Sequence, residues 1–339
     1  MSVSSILPGQ LNASDRSTEV PVMITPLGKE DISTVSSLTF PAYRSLLEEA
    51  IADNKSEKKV IALVARSAGI PVGLVLARYS VTGGSTPDAE HPQQLDILSV
   101  MTDLLWRRCG IATSLLQALE KEARRLGVQR LTVGYTTKIE SLAAFEHLLA
   151  STGWSPPQPS MHLSLFRVSD MLKVSGQGFV LSRPRGYELF PLSELRDEES
   201  AQLKAGVAAG DIPEGLSPFA DEKYLVPEVS VGIRCGKDVV AWMTLIRSPY
   251  ISDALCYRSL FVHPAMRAAN GFGPLVNREA FYLHAASHIR EERPNGVFGI
   301  SCNAIKQLNF ARKRLFPYCH EIYESRRATL LLQKEAMKA

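Results

Sequence analysis

Six consecutive residues, Arg107-Arg108-Cys109-Gly110-Ile111-Ala112, have the makings of an anion trap. They lie between an alternating apolar run at 94–100 and an amphipathic run at 111–126, so the glycine falls where a strand gives way to a helix. The first-turn amides of a helix have no partners inside it, and a phosphate can take them. Gly110 lets the backbone approach a diphosphate without a side chain in the way, and Ala112 keeps the same face small. Arg107 and Arg108 add positive charge at the rim, and Thr113 continues the first turn. A looser copy follows, with its glycine, Gly271, 161 residues further on: Val262-His263-Pro264-Ala265-Met266-Arg267-Ala268-Ala269-Asn270-Gly271-Phe272-Gly273. One extra residue separates Arg267 from Gly271, and Pro274 removes an amide from the first turn, so Val262, Arg267, Asn270, Gly271, Phe272 and Gly273 are expected to form the weaker site.

The elements that must position these loops occur twice in the same order. Residues 22–25 read as a strand, Gly28-Lys29-Glu30-Asp31 as the opening of a helix and 41–53 as a second helix. Residues 59–65 and 72–79 alternate around Ser67-Ala68-Gly69-Ile70-Pro71, a hairpin signal. Beyond the loop and its helix come a strand at 130–135 and a helix at 141–150. The second half repeats this with a strand at 187–190, a helix at 193–205, strands at 231–234 and 239–246 around Cys235-Gly236-Lys237, and a strand at 255–262. A helix from near Gly273, a strand at 296–302 and a helix at 306–315 complete it. A period this long means duplicated domains rather than a solenoid. The expected division is a disordered lead at 1–20, an N-terminal domain at 21–174, a linker at 175–185 and a C-terminal domain at 186–339.

Composition agrees with two globular domains. The chain has 339 residues, 45% of them hydrophobic and 22% charged, which leaves room for real cores. No apolar run approaches the roughly 20 residues that span a bilayer. The first 20 residues are mostly polar, unlike a signal peptide. Five cysteines, at 109, 235, 256, 302 and 319, form no CxxC pair, so no zinc or disulfide framework is expected and a cytoplasmic location fits best. The net charge of +3, with Arg124-Arg125 and Arg130 as the densest basic run, gives nucleic-acid binding no support.

The loop and its surroundings resemble the GNAT superfamily of N-acyltransferases. That family carries Gln/Arg-x-x-Gly-x-Gly/Ala after its fourth strand, and Arg107, Gly110 and Ala112 match it in place. Val262-His263-Pro264 is also typical of the family, and the repeated order of elements extends the resemblance over nearly the whole chain. It implies an α/β (α+β) protein of two tandem GNAT-type domains, each a mixed, splayed, mostly antiparallel sheet flanked by helices. It implies acetyl-CoA or another acyl-CoA as co-substrate, no metal, and a primary amine of a small molecule or peptide as acceptor. The pantetheine arm would enter between the strands at 94–100 and 130–135, with the diphosphate on Arg107, Arg108, Cys109, Gly110, Ile111, Ala112 and Thr113. A main-chain amide at Val100 or Met101 would hold the thioester carbonyl as the amine attacks.

Attack requires the ammonium to lose a proton, because its lone pair is otherwise occupied. Asp96 stands where many relatives carry an acid that orients a water or serves as base, and Arg258 is read as its equivalent in the second half. Relatives often protonate the leaving thiolate with a helix tyrosine, whose counterparts by spacing are Leu149 and Ala311. His147 falls on a different helix face from Leu149. Met101, Leu104, Leu105 and Trp106 are read as a hydrophobic staple for the following helix, with an acyl-chain tunnel as the alternative. Residues 206–227 are expected to cover the second half's acceptor side, and the first half is favoured as catalytic. Beside this reading stand a fatty-acyl-transferring enzyme of lipopeptide or acyl-amino-acid biosynthesis and a non-catalytic acyl-CoA-binding or scaffold protein.

Overall fold

A computed structural model describes residues 21–51, 60–80, 94–175, 186–248, 251–269 and 271–332. The lead expected at 1–20 and, Ser175 apart, the linker expected at 175–185 lie outside the described residues. The first repeat comprises β1 (Val22–Pro26), α1 (Ile32–Val35), α2 (Ser45–Ile51), β2 (Val60–Ser67), β3 (Ile70–Ser80), β4 (Gln94–Thr102), α3 (Ile111–Arg125), β5 (Arg130–Thr136), α4 (Leu142–Ser151), β6 (Gln158–Arg167) and α5 (Val168–Ser175). The second comprises β7 (Tyr187–Pro191), α6 (Asp197–Ala208), β8 (Val231–Cys235), β9 (Asp238–Arg247), β10 (Ala254–Val262), α7 (Phe272–Ala286), α8 (Ile289–Glu292), β11 (Asn295–Ser301), α9 (Ile305–Arg314) and β12 (Glu321–Leu331). Two expected helices start later than their apolar patterns do. Pro41–Tyr43 is a 3-10 turn ahead of α2, and α6 begins only at Asp197, where Glu199 Oε2 accepts the Arg196 amide at 2.9 Å and caps the helix. Helix α5 was not expected from the sequence.

The chain folds as two compact units. The first holds the described residues up to Gly134, Glu140–Gln158 and those from Arg327 on, whereas the second holds Tyr135–Ile139 and Pro159–Arg326. This differs from a single cut in the linker, because β6 and α5 join the second unit and the end of β12 joins the first. In the first unit the sheet order is β1-β2-β3-β4-β5, antiparallel except for β4 and β5, with the end of β12 beside β5. The second unit's order is β6-β11-β10-β9-β8-β7, antiparallel except for β10 and β11, with the start of β12 beside β6. Alternation fixes which face of a strand is buried but not which strand lies next to it, so this placement of β6 and β12 leaves no trace in the periodicity.

Each sheet is covered on both faces. In the first unit Val35 and Leu38, with Leu47 of α2, pack on Val60, Ala62, Val64, Leu74 and Leu76. On the opposite face α3 presents Ile111, Leu115, Leu119 and Ala123 at helical spacing. It lies so close that a Cβ at Gly73 would come within 2.8 Å of Ile111 Cγ2. In the second unit Phe166, Tyr257, Phe281 and Phe298 form one core under α7, and Leu203, Ile212, Trp242 and Phe261 form another under α6.

Both units carry the same clamp between second strand and first helix. Arg66 Nη1 donates to Asp31 Oδ1 at 2.8 Å, and Asp31 Oδ2 accepts the Gly28 amide at 2.9 Å. Arg234 Nε donates to Glu199 Oε1 at 2.6 Å in the second. The Arg66 hydrogen bond holds the Asp31 carboxyl below the usual carboxylate range. Burial pushes Glu199 up, but the hydrogen bonds from Arg234 and the Arg196 amide outweigh it and leave Glu199 lowered as well.

Candidate functional site

The loop after β4 begins with a cap. Asp103 accepts the Leu105 amide at 2.9 Å and closes the 3-10 turn Leu104–Trp106. Arg107 is extended, Arg108 takes a left-handed φ of 68° and Gly110 one of 77°, and α3 then starts with Ser114 N bonded to Gly110 O at 3.0 Å. A left-handed arginine is unusual outside special loops, and left-handed residues alternating with others at a helix start turn successive backbone N–H groups toward one concavity. The side chains of Arg107, Arg108 and Cys109 are exposed, and neither guanidinium has a protein partner among the described residues. The first-turn amides of Ile111, Ala112 and Thr113 lack partners within the helix. This chemistry fits a diphosphate: fixed donors, two free cations and no Cβ at the apex.

Beside the loop the sheet opens. On β4, Ile97 lies opposite Ala77 and Ser99 opposite Leu76, which leaves Leu98 as a bulge. The parallel pairing of β4 with β5 runs from Gln94↔Arg130 to Ile97↔Val133 and stops there, although both strands continue. Residues 99–102, among them the half-buried Val100 and Met101, therefore pair with β3 alone. Asp96 sits just before this opening. Its Oδ1 accepts Gln94 Nε2 at 2.8 Å and the Thr132 hydroxyl, while Oδ2 has no protein partner among the described residues. Gln94 and Thr132 were not singled out in the sequence. Thr132, a polar residue inside the otherwise apolar β5 run at 131–133, was the available signal.

The second repeat has the same frame with different contents. On β10, Tyr257 lies opposite Leu245 and Ser259 opposite Thr244, so Arg258 is the bulge, and four parallel pairs to β11 end at Tyr257↔Phe298. The bulges align Arg258 with Leu98 and place Cys256 opposite the role of Asp96, which corrects the equivalence drawn from spacing. Burial pushes the Cys256 thiol up to about 11. Arg258 Nε instead bonds Asp221 Oδ2 at 2.7 Å. Arg267 Nε is spent on Val262 O at 3.1 Å, Gly271 has φ 136°, Phe272 and Gly273 open α7, and Asn270 lies outside the described residues. Trp242 and Phe261, opposite each other at the places of Leu74 and Met101, stack with centroids 4.3 Å apart. Trp242 Nε1 donates to Leu216 O at 2.9 Å, and Leu216 and Phe219 close over the pair.

Other expected positions resolve plainly. Leu149 and Ala311, where a tyrosine acid would stand, are buried, and His147 is exposed. Leu104 and Leu105 are 71% and 90% exposed, so they do not staple the helix, because a staple must pack. A cavity of about 370 Å³ lies between β7, β8 and α7, lined by Tyr187, Phe190, Ile233, Leu275 and Glu279, and none of the candidate residues borders it. No described helix is long and apolar enough to cross a membrane.

The model of the acetyltransferase (GNAT) family matches residues 31–148. Among solved structures, a tandem GNAT protein from the clavulanic acid biosynthesis pathway is similar over 93% of this chain and 100% of its own, with a TM-score of 0.58 at 15% identity. The glucosamine N-acetyltransferase region of a fungal multi-domain β-N-acetylglucosaminidase is similar over 92% of this chain and 38% of its own, with a TM-score of 0.59 at 13% identity. A GCN5-related N-acetyltransferase from Sphaerobacter thermophilus is similar over 90% and 95%, with a TM-score of 0.51 at 14% identity. No curated protein sequence matches the chain significantly. Residues 31–148 are thus a domain of the acetyltransferase (GNAT) family, and the chain as a whole has the tandem GNAT fold.

Proposed function

We propose that the first repeat transfers an acyl group from acyl-CoA to a primary amine of a small molecule or peptide, and that the second repeat serves packing. The observation that carries this reading is the opening of β4 from β5 past Ile97, with the Arg107–Ala112 turn at one end and Asp96 at the other. In this reading Arg107, Arg108 and the amides of Ile111, Ala112 and Thr113 hold the diphosphate, with Cys109 and Gly110 shaping the turn. The amide of Val100 or Met101, on the edge that β5 leaves open, receives the thioester carbonyl.

Asp96 takes a proton from the attacking ammonium through Oδ2, directly or by way of a water, while Gln94 and Thr132 fix Oδ1. The C–N bond then forms, the C–S bond breaks, and the nitrogen sheds its second proton to solvent. The leaving thiol has an ordinary pKa of roughly 8.5, so its thiolate can depart and take a proton from solvent where Leu149 offers none. Five free cysteines suit a reducing compartment, and we place the reaction in the cytoplasm. The buried apolar residues at both tyrosine positions, Leu149 and Ala311, favour one alternative, an acyl-CoA-binding protein without turnover. Incubating the protein with acetyl-CoA and a panel of primary amines separates the two: free thiol released in the presence of an amine supports transfer, and binding without release supports the alternative.

A further inference from the structure

Ser99 lies one residue past the β4 bulge, opposite Leu76. Leu74, Leu76 and Arg78 share one face of β3, so their partners Met101, Ser99 and Asp96 project together to the face that α1 and α2 cover. Ser99 is 3% exposed, and its Oγ has no hydrogen-bond partner among the described residues. A buried hydroxyl without a partner costs stability.

The second repeat shows how the fold removes that cost. Ser259 occupies the same place past the bulge, and its Oγ is 2.7 Å from Thr244 Oγ1 on β9. In the first repeat Leu76 stands where Thr244 does, so the serine is kept and its partner is missing. It is kept two residues beyond Ile97, where β4 has parted from β5.

We propose that the Ser99 hydroxyl donates to the acyl carbonyl oxygen of the donor thioester and shares, with the Val100 or Met101 amide, the charge that develops there. The inference rests on the first repeat being an acyl-CoA-dependent acyltransferase. Asp96 Oδ2 is an acceptor and serves the amine, whereas a carbonyl oxygen needs donors, and a hydroxyl beside a free strand edge supplies one. As nitrogen bonds to the carbonyl carbon, charge gathers on the oxygen that Ser99 contacts. It leaves on sulfur when the C–S bond breaks, the nitrogen's second proton passes to solvent because Asp96 already holds the first, and Ser99 keeps its own.

Calorimetry with acetyl-CoA and with CoA tests this on the full chain, since the two ligands differ only in the acyl group. Ser99→Ala is expected to weaken acetyl-CoA about threefold to tenfold and leave CoA unchanged. Its unliganded melting temperature should hold or rise, because an unpaired buried hydroxyl is gone. Leu76→Thr rebuilds the Thr244–Ser259 pair and should give the same selective loss. If it fails to fold, Ser99→Ala decides alone. Unchanged affinity of Ser99→Ala for both ligands, or an equal loss for both, overturns the assignment. A parent chain that binds neither ligand overturns the acyltransferase reading itself, and the Ser99 assignment with it.

Discussion

The two repeats share strand order, bulge position, the length of parallel pairing and the Arg–carboxylate clamp, yet they differ wherever a group could be left free. Arg107 and Arg108 have no protein partner among the described residues, whereas Arg267 is turned back onto Val262 O. Asp96 presents an unpaired carboxylate oxygen at the opening, where the second repeat has a half-buried thiol, Cys256. Leu74 and Met101 pack with the α1 and α2 cluster, but Trp242 and Phe261 are stacked and sealed by residues from 212–219. Packing that both repeats keep marks the scaffold, and polar groups that only one repeat leaves unpaired mark the candidate site.

The largest effect expected from this contrast is at Asp96. Asp96→Asn should lower turnover about 10²-fold or more, most of all at acidic pH where the amine parts with its proton least readily, while acetyl-CoA affinity stays unchanged. Cys256→Ser should do neither. Steady-state rates across pH beside calorimetry read both, and equal rates for the two variants would erase the distinction between repeats.

The clamps differ between the repeats in stability rather than in turnover. Glu199→Ala leaves Arg234, itself 3% exposed, with a buried and poorly compensated charge and should cost about 3–5 kcal/mol in urea unfolding. Asp31→Ala should cost less, because the Arg66 side chain is 18% exposed and can find water. Both carboxyls are lowered in the folded chain. Their contribution is therefore complete above the unfolded carboxylate range of about 4 and is lost as pH falls through the lower folded values. A parent that loses no stability on titration below about pH 4, or an Asp31→Ala that costs more than Glu199→Ala, would contradict this account.

The smallest contrast concerns the loop cations. Arg107→Gln and Arg108→Gln should each weaken acetyl-CoA by roughly tenfold, as expected for one charge-assisted hydrogen bond of about 1.5 kcal/mol. Arg267→Gln should change it by less than about twofold, because that guanidinium is already engaged. Comparable losses from all three would mean that both loops bind.

Much of the frame was legible in the sequence because it depends on local patterns. Alternation placed β2, β3, β4 and β10 within a few residues, and the glycine at a strand-to-helix junction placed Gly110 at the start of α3. What could not be read depends on register. The strand ends Val100 and Val262 look equivalent, each four residues past Asp96 or Arg258, but the registers, with bulges at Leu98 and Arg258, align Val100 with Leu260 and Asp96 with Cys256. The roles of Gln94 and Thr132 rest on the parallel alignment of β4 with β5, which no single strand encodes. Leu104 and Leu105 looked like packing residues because leucine usually packs, and only the geometry of their turn leaves them in solvent.

The claim that the first repeat alone holds the donor is tested most directly by acetyl-CoA calorimetry on Gly110→Val and Gly271→Val. Gly110 has open space around its missing Cβ but a φ of 77°, so valine there forces the turn to change and re-aims the amides of α3. Gly271 has a φ of 136°, so its turn should distort comparably. Both variants should lose a similar amount of thermal stability and stay folded at the temperature of the titration, because both place a β-branched residue at positive φ. The account predicts that Gly271→Val binds acetyl-CoA as the parent does and Gly110→Val binds it at least about 100-fold more weakly, as expected when two or more such hydrogen bonds are lost. Binding kept by Gly110→Val and lost by Gly271→Val would move the donor to the second repeat and contradict the account.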